Sequence, residues 1–269
     1  MIPKIIHYCW FGGGTLPESD KKNIESWRKY CPDYQIIEWN EENYDITSSK
    51  YMKDAYDKKK WGFVPDFARF DIVYKYGGFY FDTDVEIVKS LNPLLGYRAV
   101  MGFEKMDSVN GGHGFGAEPG NDIIKELRDM YFNLNFILED GKLNLTPSPV
   151  YITKQLQSKG LNLNNTIQNL GNMTVLPTDF FCPLEYDTGK LRVSSNTFSI
   201  HWFNASWLDE KNRKRVIIER KIKNLLGHKL GGSISDGYWK ICRLTDLYKE
   251  KGSIAVLDKI CSKVTGRKQ

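Results

Sequence analysis

Residues 2–39 read IPKIIHYCWFGGGTLPESDKKNIESWRKYCPDYQIIEW, and the order of their patterns sets the class of fold. Ile2 to Tyr8 is a short, isoleucine-rich run of the kind that makes a buried strand. Gly12, Gly13 and Gly14 end it. Residues 17–30 then place Ile24, Trp27 and Tyr30 near one face of a helix, and residues 34–39 are β-rich and loosely alternating. Strand, glycine turn, helix and strand make a βαβ unit, which predicts an α/β fold with parallel strands.

Outward from this unit, residues 43–60 are polar and helical in part. Residues 64–76 read as a buried helix carrying Phe67, Phe70, Ile72, Val73 and Tyr76, stopped by Gly77-Gly78. Phe79-Tyr80-Phe81 is a short strand that runs into Asp82-Thr83-Asp84, and residues 86–88 continue extended before Asn92-Pro93 turns the chain. Residues 99–103 form another strand. Residues 110–120 hold five glycines in eleven positions and are expected to be a loop, with His113 solvated in it. Residues 122–138 predict a helix, and residues 174–176 and 199–202 predict short strands around a Pro-rich, aromatic segment.

The 269 residues are 41% hydrophobic, 13% aromatic and 26% charged, an ordinary balance for one large or two small globular domains. That composition excludes a disordered chain. The net charge of +5 is too small to argue for nucleic acid, so no nucleic-acid partner is expected. Its distribution says more: residues 1–207 carry 22 basic and 26 acidic side chains, while residues 208–269 carry 16 and 7. Two domains are drawn on this basis, a body at 1–207 and a basic helical extension at 208–269. Cys9, Cys31, Cys182, Cys242 and Cys261 are widely spaced with no C-x-x-C pair, which speaks against a disulfide framework or a cysteine zinc site. Lys4, His7 and the glycines break the opening apolar stretch, which does not read as a signal peptide. No apolar run reaches the roughly 18 residues that span a bilayer. A cytoplasmic location is expected, peripheral on the inner face of the plasma membrane where something recruits the chain.

The chemistry concentrates in residues 65–84, PDFARFDIVYKYGGFYFDTD. Asp82 and Asp84 stand at i and i+2 after a hydrophobic strand. Regular pleating keeps such a pair on one face, and a turn beginning at Asp82 lets both converge on one cation. Hard oxygen donors of this kind suit Mn²⁺ or Mg²⁺, which bridge diphosphates and offset the charge of a leaving group. Asp66 and Arg69 lie one helical turn apart and can reach the same site; alternatively they are an ordinary i,i+3 ion pair.

Together, D-x-x-R followed by G-G-x-Y-x-D-x-D resembles the DXD glycosyltransferases of family 32, and more distantly the glucosyltransferase domains of clostridial toxins. The opening Ile2-Pro3-Lys4-Ile5-Ile6-His7-Tyr8-Cys9-Trp10-Phe11-Gly12 is similar to that family's first strand. His201-Trp202-Phe203-Asn204-Ala205-Ser206-Trp207 is similar to its closing H-x-x-x-x-S-W. The resemblance implies a GT-A fold, a nucleotide-sugar donor (a UDP- or GDP-hexose), a divalent metal, usually Mn²⁺, and retention of anomeric configuration. It implies that Trp10 stacks on the donor base, though the ring could equally be a core aromatic. Asp66 and Arg69 would bind the donor's hydroxyls and diphosphate, and Tyr80 would flank it. Asp82 would bridge ribose and metal, Asp84 would be the main metal ligand, and Ser206 and Trp207 would close over the diphosphate. His201, Asn204 and Ser206 are the further candidate ligands, His201 being either a ligand or a structural strand-end histidine; His7 and Trp202 read as packing residues. Asp82, Asp84 and Arg69 are marked catalytic through electrostatics, because no residue stands out as a nucleophile.

The acceptor implied is a saccharide or lipid-linked oligosaccharide in surface-polysaccharide synthesis. Two other readings stay open. One is a haloacid-dehalogenase-type phosphohydrolase, which also uses D-x-D, but on its first strand and with Thr or Val where this chain has Glu86. The other is a non-catalytic surface-bound sugar or lipid binder. Residues 209–229 predict a basic amphipathic helix that either meets anionic lipid or packs on the body, and Gly231-Gly232 are expected to separate it from a last helix.

Overall fold

The computed structural model describes residues 1–204 and 210–265. These form two compact units, one of residues 1–185 and 191–204, the other of residues 186–190 and 210–265. In the first, the order is β1 (Ile5–Cys9), α1 (Glu18–Tyr30), β2 (Gln35–Trp39), α2 (Lys50–Asp57), α3 (Pro65–Tyr76), β3 (Gly78–Tyr80), β4 (Val85–Ile87), β5 (Ala99–Lys105), β6 (Ser108–Ala117), α4 (Asp122–Asp129), α5 (Ser148–Gln157), β7 (Gln168–Asn169), β8 (Thr174–Leu176), α6 (Thr178–Phe181) and β9 (Ser199–His201). The second holds α7 (Glu210–Leu226) and α8 (His228–Thr265).

Among the described residues, seven strands form one mixed sheet in the order β2-β1-β3-β6-β5-β8-β7. The β1–β2 and β1–β3 pairs are parallel, as the opening βαβ unit predicts, and β6 then runs antiparallel between β3 and β5. Helices flank this sheet, giving the α/β fold that the sequence predicts. On one face, Phe67 and Phe70 of α3, Tyr51 and Met52 of α2, and Ile124 and Leu127 of α4 pack against Tyr80, Met101 and Phe115. On the other, Ile24 and Trp27 of α1 pack against Ile6, Phe79, Phe81 and Val100. The alternation of Phe79, Tyr80 and Phe81 between faces is the period-two pleat at work. Each large apolar side chain of this kind contributes roughly 1.5–3 kcal/mol on burial.

α3 explains how the carboxylates are delivered. Pro65 fills its first turn, where a missing N–H costs nothing, and Asp66 there complements the helix dipole. Gly77, at φ +67, ends it and turns the chain straight into β3. His7 secures that turn, as a packing residue should. Its Nε2–H donates to Gly77 O at 2.8 Å, and its Nδ1 accepts from Trp39 Nε1–H at 3.1 Å.

Three sequence expectations are corrected. Residues 110–120 are no loop; most of them belong to β6, a fully buried strand, and His113 within it is 0% exposed. The glycines serve close approach. A Cβ at Gly112 would stand 2.2 Å from Asp82 Oδ2, one at Gly114 2.5 Å from Phe81 Cε1, and one at Gly116 2.5 Å from Phe79 Cδ1. Side chains of β3 and the residues after it fill the room that β6 leaves. The helix expected over 122–138 ends at Asp129 and gives way to one 3₁₀ turn, Met130–Asn133. From there the chain extends, which lets Phe136 pack on Tyr51 and Phe63. Gly231-Gly232 lies inside α8. The bare Cα of Gly231 lets the helix approach Lys223 of α7, whose Cα a Cβ would meet at 2.7 Å. The break between the two helices is at Gly227, φ +75, and α8 kinks at Gly252, φ +77.

Within this second unit the two helices pack antiparallel. Arg215 forms a bidentate pair with Asp246 at 2.8 and 3.0 Å, Lys211 pairs with the same carboxylate, and Trp239 donates to Glu219. The apolar residues of α7 are left largely uncovered, with Leu225 83% exposed and Ile217 45%. Among the described residues, no helix is long and apolar enough to cross a membrane.

Candidate active site

Asp82 follows β3 after one residue, Phe81, and its backbone N–H donates to Gly112 O of β6 at 2.8 Å. A turn then opens, with Val85 N–H donating to Asp82 O at 3.1 Å. The strand gives way to a turn at the D-x-D pair, and the Asp82 carboxyl feels the charge of Asp84. β3 lies parallel to β1, so this turn and Trp10 both stand at the carboxyl ends of neighbouring parallel strands, the usual ligand-binding edge of an α/β sheet. Trp10 is half-buried there, and its indole N–H donates to Gly14 O at 2.5 Å.

Asp66, Arg69 and Asp82 form a row. Arg69 Nη2 lies 3.3 Å from Asp66 Oδ1 and 3.5 Å from Asp82 Oδ1, with side-chain exposures of 4% for Arg69, 5% for Asp66 and 32% for Asp82. Tyr80 completes it. Its hydroxyl donates to Asp82 Oδ1 at 3.0 Å, and its ring lies 5.3 Å from the Arg69 guanidinium. Burial works against the charge on Arg69, but Asp82 and the other anionic neighbours outweigh it and keep the guanidinium charged. Asp66 is pushed up to about 7, first by burial and then by the Asp82 charge, with Arg69 opposing. Burial also raises Asp82; Arg69 lowers it, and the neighbouring Asp84 charge raises it again.

Asp84 is held from the far side of the sequence. β9 pairs antiparallel with β4, placing His201 opposite Val85. His201 Nε2 lies 3.2 Å from Asp84 Oδ1, Asn204 N–H donates to Asp84 Oδ2 at 2.9 Å, and Trp202 N–H donates to Asp84 O at 3.0 Å. Burial alone would raise the Asp84 carboxyl, yet His201 and the Asn204 N–H bring it below its usual value. His201 is correspondingly held well above the usual histidine range: burial opposes its charge, and Asp84 more than compensates. The His201 imidazole is thereby aimed at the Asp84 carboxylate through Nε2. Trp202 Nε1–H donates to Glu86 Oε2 at 3.0 Å, a packing role.

The donor set suits a hard divalent cation. Asp82, raised first by burial and further by the Asp84 charge, is the most open member of the row. Among the described residues, no group of three or more His, Cys, Asp or Glu side chains is arranged to hold a metal, so the protein's own share would be the Asp82–Asp84 pair with neutral oxygen donors. Ser206 and Trp207 lie outside the described residues. Of the other sequence candidates, the structure brings together Asp66, Arg69, Tyr80 and Asp82, and joins Asp84 to His201 and Asn204. Gly112, whose missing side chain makes room for Asp82, was not among them; a glycine at alternate positions of a hydrophobic strand is its signal.

Comparison with known proteins bears on the same residues. Residues 17–101 match the family model described as glycosyltransferase sugar-binding region containing DXD motif. Over this stretch the chain resembles DXD-type glycosyltransferase sugar-binding regions. The stretch contains Asp66, Arg69, Tyr80, Asp82 and Asp84, while Trp10 and residues 201–207 fall outside the match. Inositol phosphoceramide mannosyltransferase 3 of Schizosaccharomyces pombe is 32% identical over 152 residues, covering 50% of this chain and 40% of that protein. Inositol phosphoceramide mannosyltransferase 1 of the same yeast is 25% identical over 239 residues, covering 84% of this chain and 68% of its own length. Among solved structures, the PaToxG glycosyltransferase has a TM-score of 0.47 at 17% identity, covering 59% of this chain and 69% of its own. A glycosyltransferase involved in glycosylation of the major capsid of PBCV-1 has a TM-score of 0.46 at 12% identity, covering 80% and 100%. The matched stretch thus includes the carboxylate turn and α3, and the strand that completes the turn, β9, comes from beyond it.

Proposed function

We propose that the chain is a metal-dependent, retaining hexosyltransferase that uses a nucleoside-diphosphate sugar. The observation that carries this reading is the buried Asp66–Arg69–Asp82 row beside Asp84, an arrangement that fits a diphosphate with its counter-cation and a sugar with several hydroxyls. Asp82 and Asp84 would hold Mn²⁺ or Mg²⁺. Such a cation supplies Lewis-acid neutralisation of the leaving diphosphate. Arg69 adds a fixed positive charge in a water-poor place, where electrostatic stabilisation counts most, and Asp66 and Tyr80 keep it there. The acceptor oxygen bonds to the anomeric carbon as the bond from that carbon to the phosphate oxygen breaks, and the acceptor's proton passes to the departing phosphate. Trp10 stands at the edge where the base would lie, and Ser206 and Trp207 follow Asn204 as the closing segment.

The names of the two yeast relatives favour mannose as the sugar, hence a GDP- or UDP-linked hexose, and a lipid-borne polyol or saccharide hydroxyl as acceptor. A surface-polysaccharide acceptor is the other member of that class. The uncovered apolar residues of α7 and the basic charge of residues 208–269 support work at an anionic membrane surface, with the donor supplied from the cytosol.

The test is release of nucleoside diphosphate from a panel of UDP- and GDP-hexoses with Mn²⁺, Mg²⁺ or EDTA. Release from one donor, dependent on the cation and abolished in a folded Asp84→Ala variant, supports the reading. No release from any donor, full activity of Asp84→Ala, or hydrolysis of aryl phosphate instead would overturn it.

A further inference from the structure

The first helix presents a row of polar side chains to the carboxylate turn. Asn23 Nδ2–H donates to Thr83 O at 2.9 Å, Trp27 Nε1–H donates to Val85 O at 2.8 Å, and Ser26 Oγ accepts from Ile87 N–H at 2.9 Å. The helical spacing of α1 is thereby matched to alternate residues 83, 85 and 87 of the strand that leaves the turn. At the head of this row stands Asp20. It is 1% exposed, and among the described residues no lysine, arginine or histidine lies within ion-pair distance of it. A buried carboxylate without a cation is costly, and such groups persist where their hydrogen bonds are strong and needed.

Two of the donors to Asp20 belong to the site. Thr83 Oγ1–H donates to Oδ2 at 2.6 Å, short enough for a charge-assisted bond, and Thr83 is the residue between Asp82 and Asp84. Asn204 Nδ2–H approaches Oδ1 at 3.4 Å, while the Asn204 backbone N–H donates to Asp84. Ser19 Oγ–H donates to Oδ1 at 2.9 Å. One carboxylate therefore ties the middle of the D-x-D turn to the segment that returns with β9. Position in the first turn of α1 offsets part of its charge through the helix dipole.

We propose that Asp20 is a positioning residue that, through Thr83 and Asn204, sets the direction and spacing of the Asp82 and Asp84 carboxylates. It does not touch the reacting groups. Its effect is on how well the pair holds a divalent cation, so the proposal rests on the metal-dependent reading above.

The test measures Mn²⁺ binding by the loss of the free-ion electron paramagnetic resonance signal, with UDP and with GDP present, on the full chain and its variants. Asp20→Ala and Thr83→Val are expected to weaken Mn²⁺ binding at least tenfold. Thr83→Ser keeps the hydroxyl and should stay within twofold of wild type. The Asp20→Ala/Thr83→Val double variant should bind no more weakly than the weaker single one, because both remove the same bond. Thermal unfolding without metal accompanies each variant, and if Asp20→Ala does not fold, the Val and Ser variants of Thr83 read the same bond. Unchanged binding in folded Thr83→Val, equal losses in Thr83→Val and Thr83→Ser, or additive losses in the double variant would overturn the proposal. Absence of Mn²⁺ binding in wild type overturns the metal-dependent reading as well, which separates the two failures.

Discussion

His201 and Asp84, 117 positions apart in the sequence, form a buried ion pair: Nε2 lies 3.2 Å from Oδ1, with side-chain exposures of 9% and 14%. Removing one partner leaves the other charge buried and alone, which costs about 3–5 kcal/mol. His201→Ala should lose stability on that scale in denaturant unfolding. The size of the loss should depend on pH. His201 is held above its usual 6.5, so its contribution is complete below that value and declines as pH rises through its folded value. Asp84 is held below its usual 3.8, so its contribution is complete above that value and is lost at more acid pH. The difference between wild type and His201→Ala should be largest near pH 5–6 and smaller at high pH. A difference flat from pH 5 to 10 would count against the pair.

His7 predicts an acid-labile step of a different kind. It is 0% exposed, and burial pushes it down to about 4 despite the bond to Gly77 O. A neutral ring is what the structure needs, because Nδ1 must accept from Trp39. Stability from this group is present above pH 6.5 and is lost as pH falls toward 4, by about 3 kcal/mol over the range. His7→Gln cannot take up that proton, so its stability should fall less over the same interval. Parallel curves for the two proteins would refute the assignment.

Gly112→Ala isolates the backing of Asp82. The added Cβ would lie 2.2 Å from Asp82 Oδ2, so the carboxylate must rotate away from Tyr80 and Arg69. Donor turnover should fall by at least about tenfold, some 1.4 kcal/mol in the barrier, with the fold retained by circular dichroism. Wild-type turnover in Gly112→Ala would show that the direction of the Asp82 carboxylate does not matter.

Leu225 and Ile217 of α7 offer a test of membrane recruitment. The protein should sediment with vesicles containing anionic lipid, less so at high salt. Leu225→Asp with Ile217→Asp should reduce sedimentation several-fold while donor hydrolysis in solution is unchanged. Sedimentation equal to wild type would remove the case for α7 as the contact.

Much of the fold was legible because its patterns are local. Residues 5–39 declare strand, helix and strand by periodicity, and α3 announces itself through Pro65, its apolar residues and Gly77. The carboxylate turn was legible for the same reason, since Asp66, Arg69, Tyr80, Asp82 and Asp84 lie within one helix and the strand and turn that follow it. What failed was set by partners distant in sequence. The glycines of β6 look like a loop until Phe79, Phe81 and Asp82 are seen occupying the space above them. His113 looks solvated until that strand is found at the middle of the sheet. Asp20 and Asn23 drew no reading from the sequence, because no local pattern reveals that their face meets the turn at Thr83.

The pairing of β4 with β9 has a consequence for how the molecule is assembled. As the chain emerges from the ribosome, Asp82 meets Arg69 and Tyr80 early, because those three arise close together. Asp84 waits until residues 199–204 have been made and have returned across more than a hundred residues to meet it. Closing so long a loop is slow and carries its entropy cost before any contact repays it. A nascent or truncated chain ending before β9 would therefore carry a half-built cation site, with one acid seated and the other still in water.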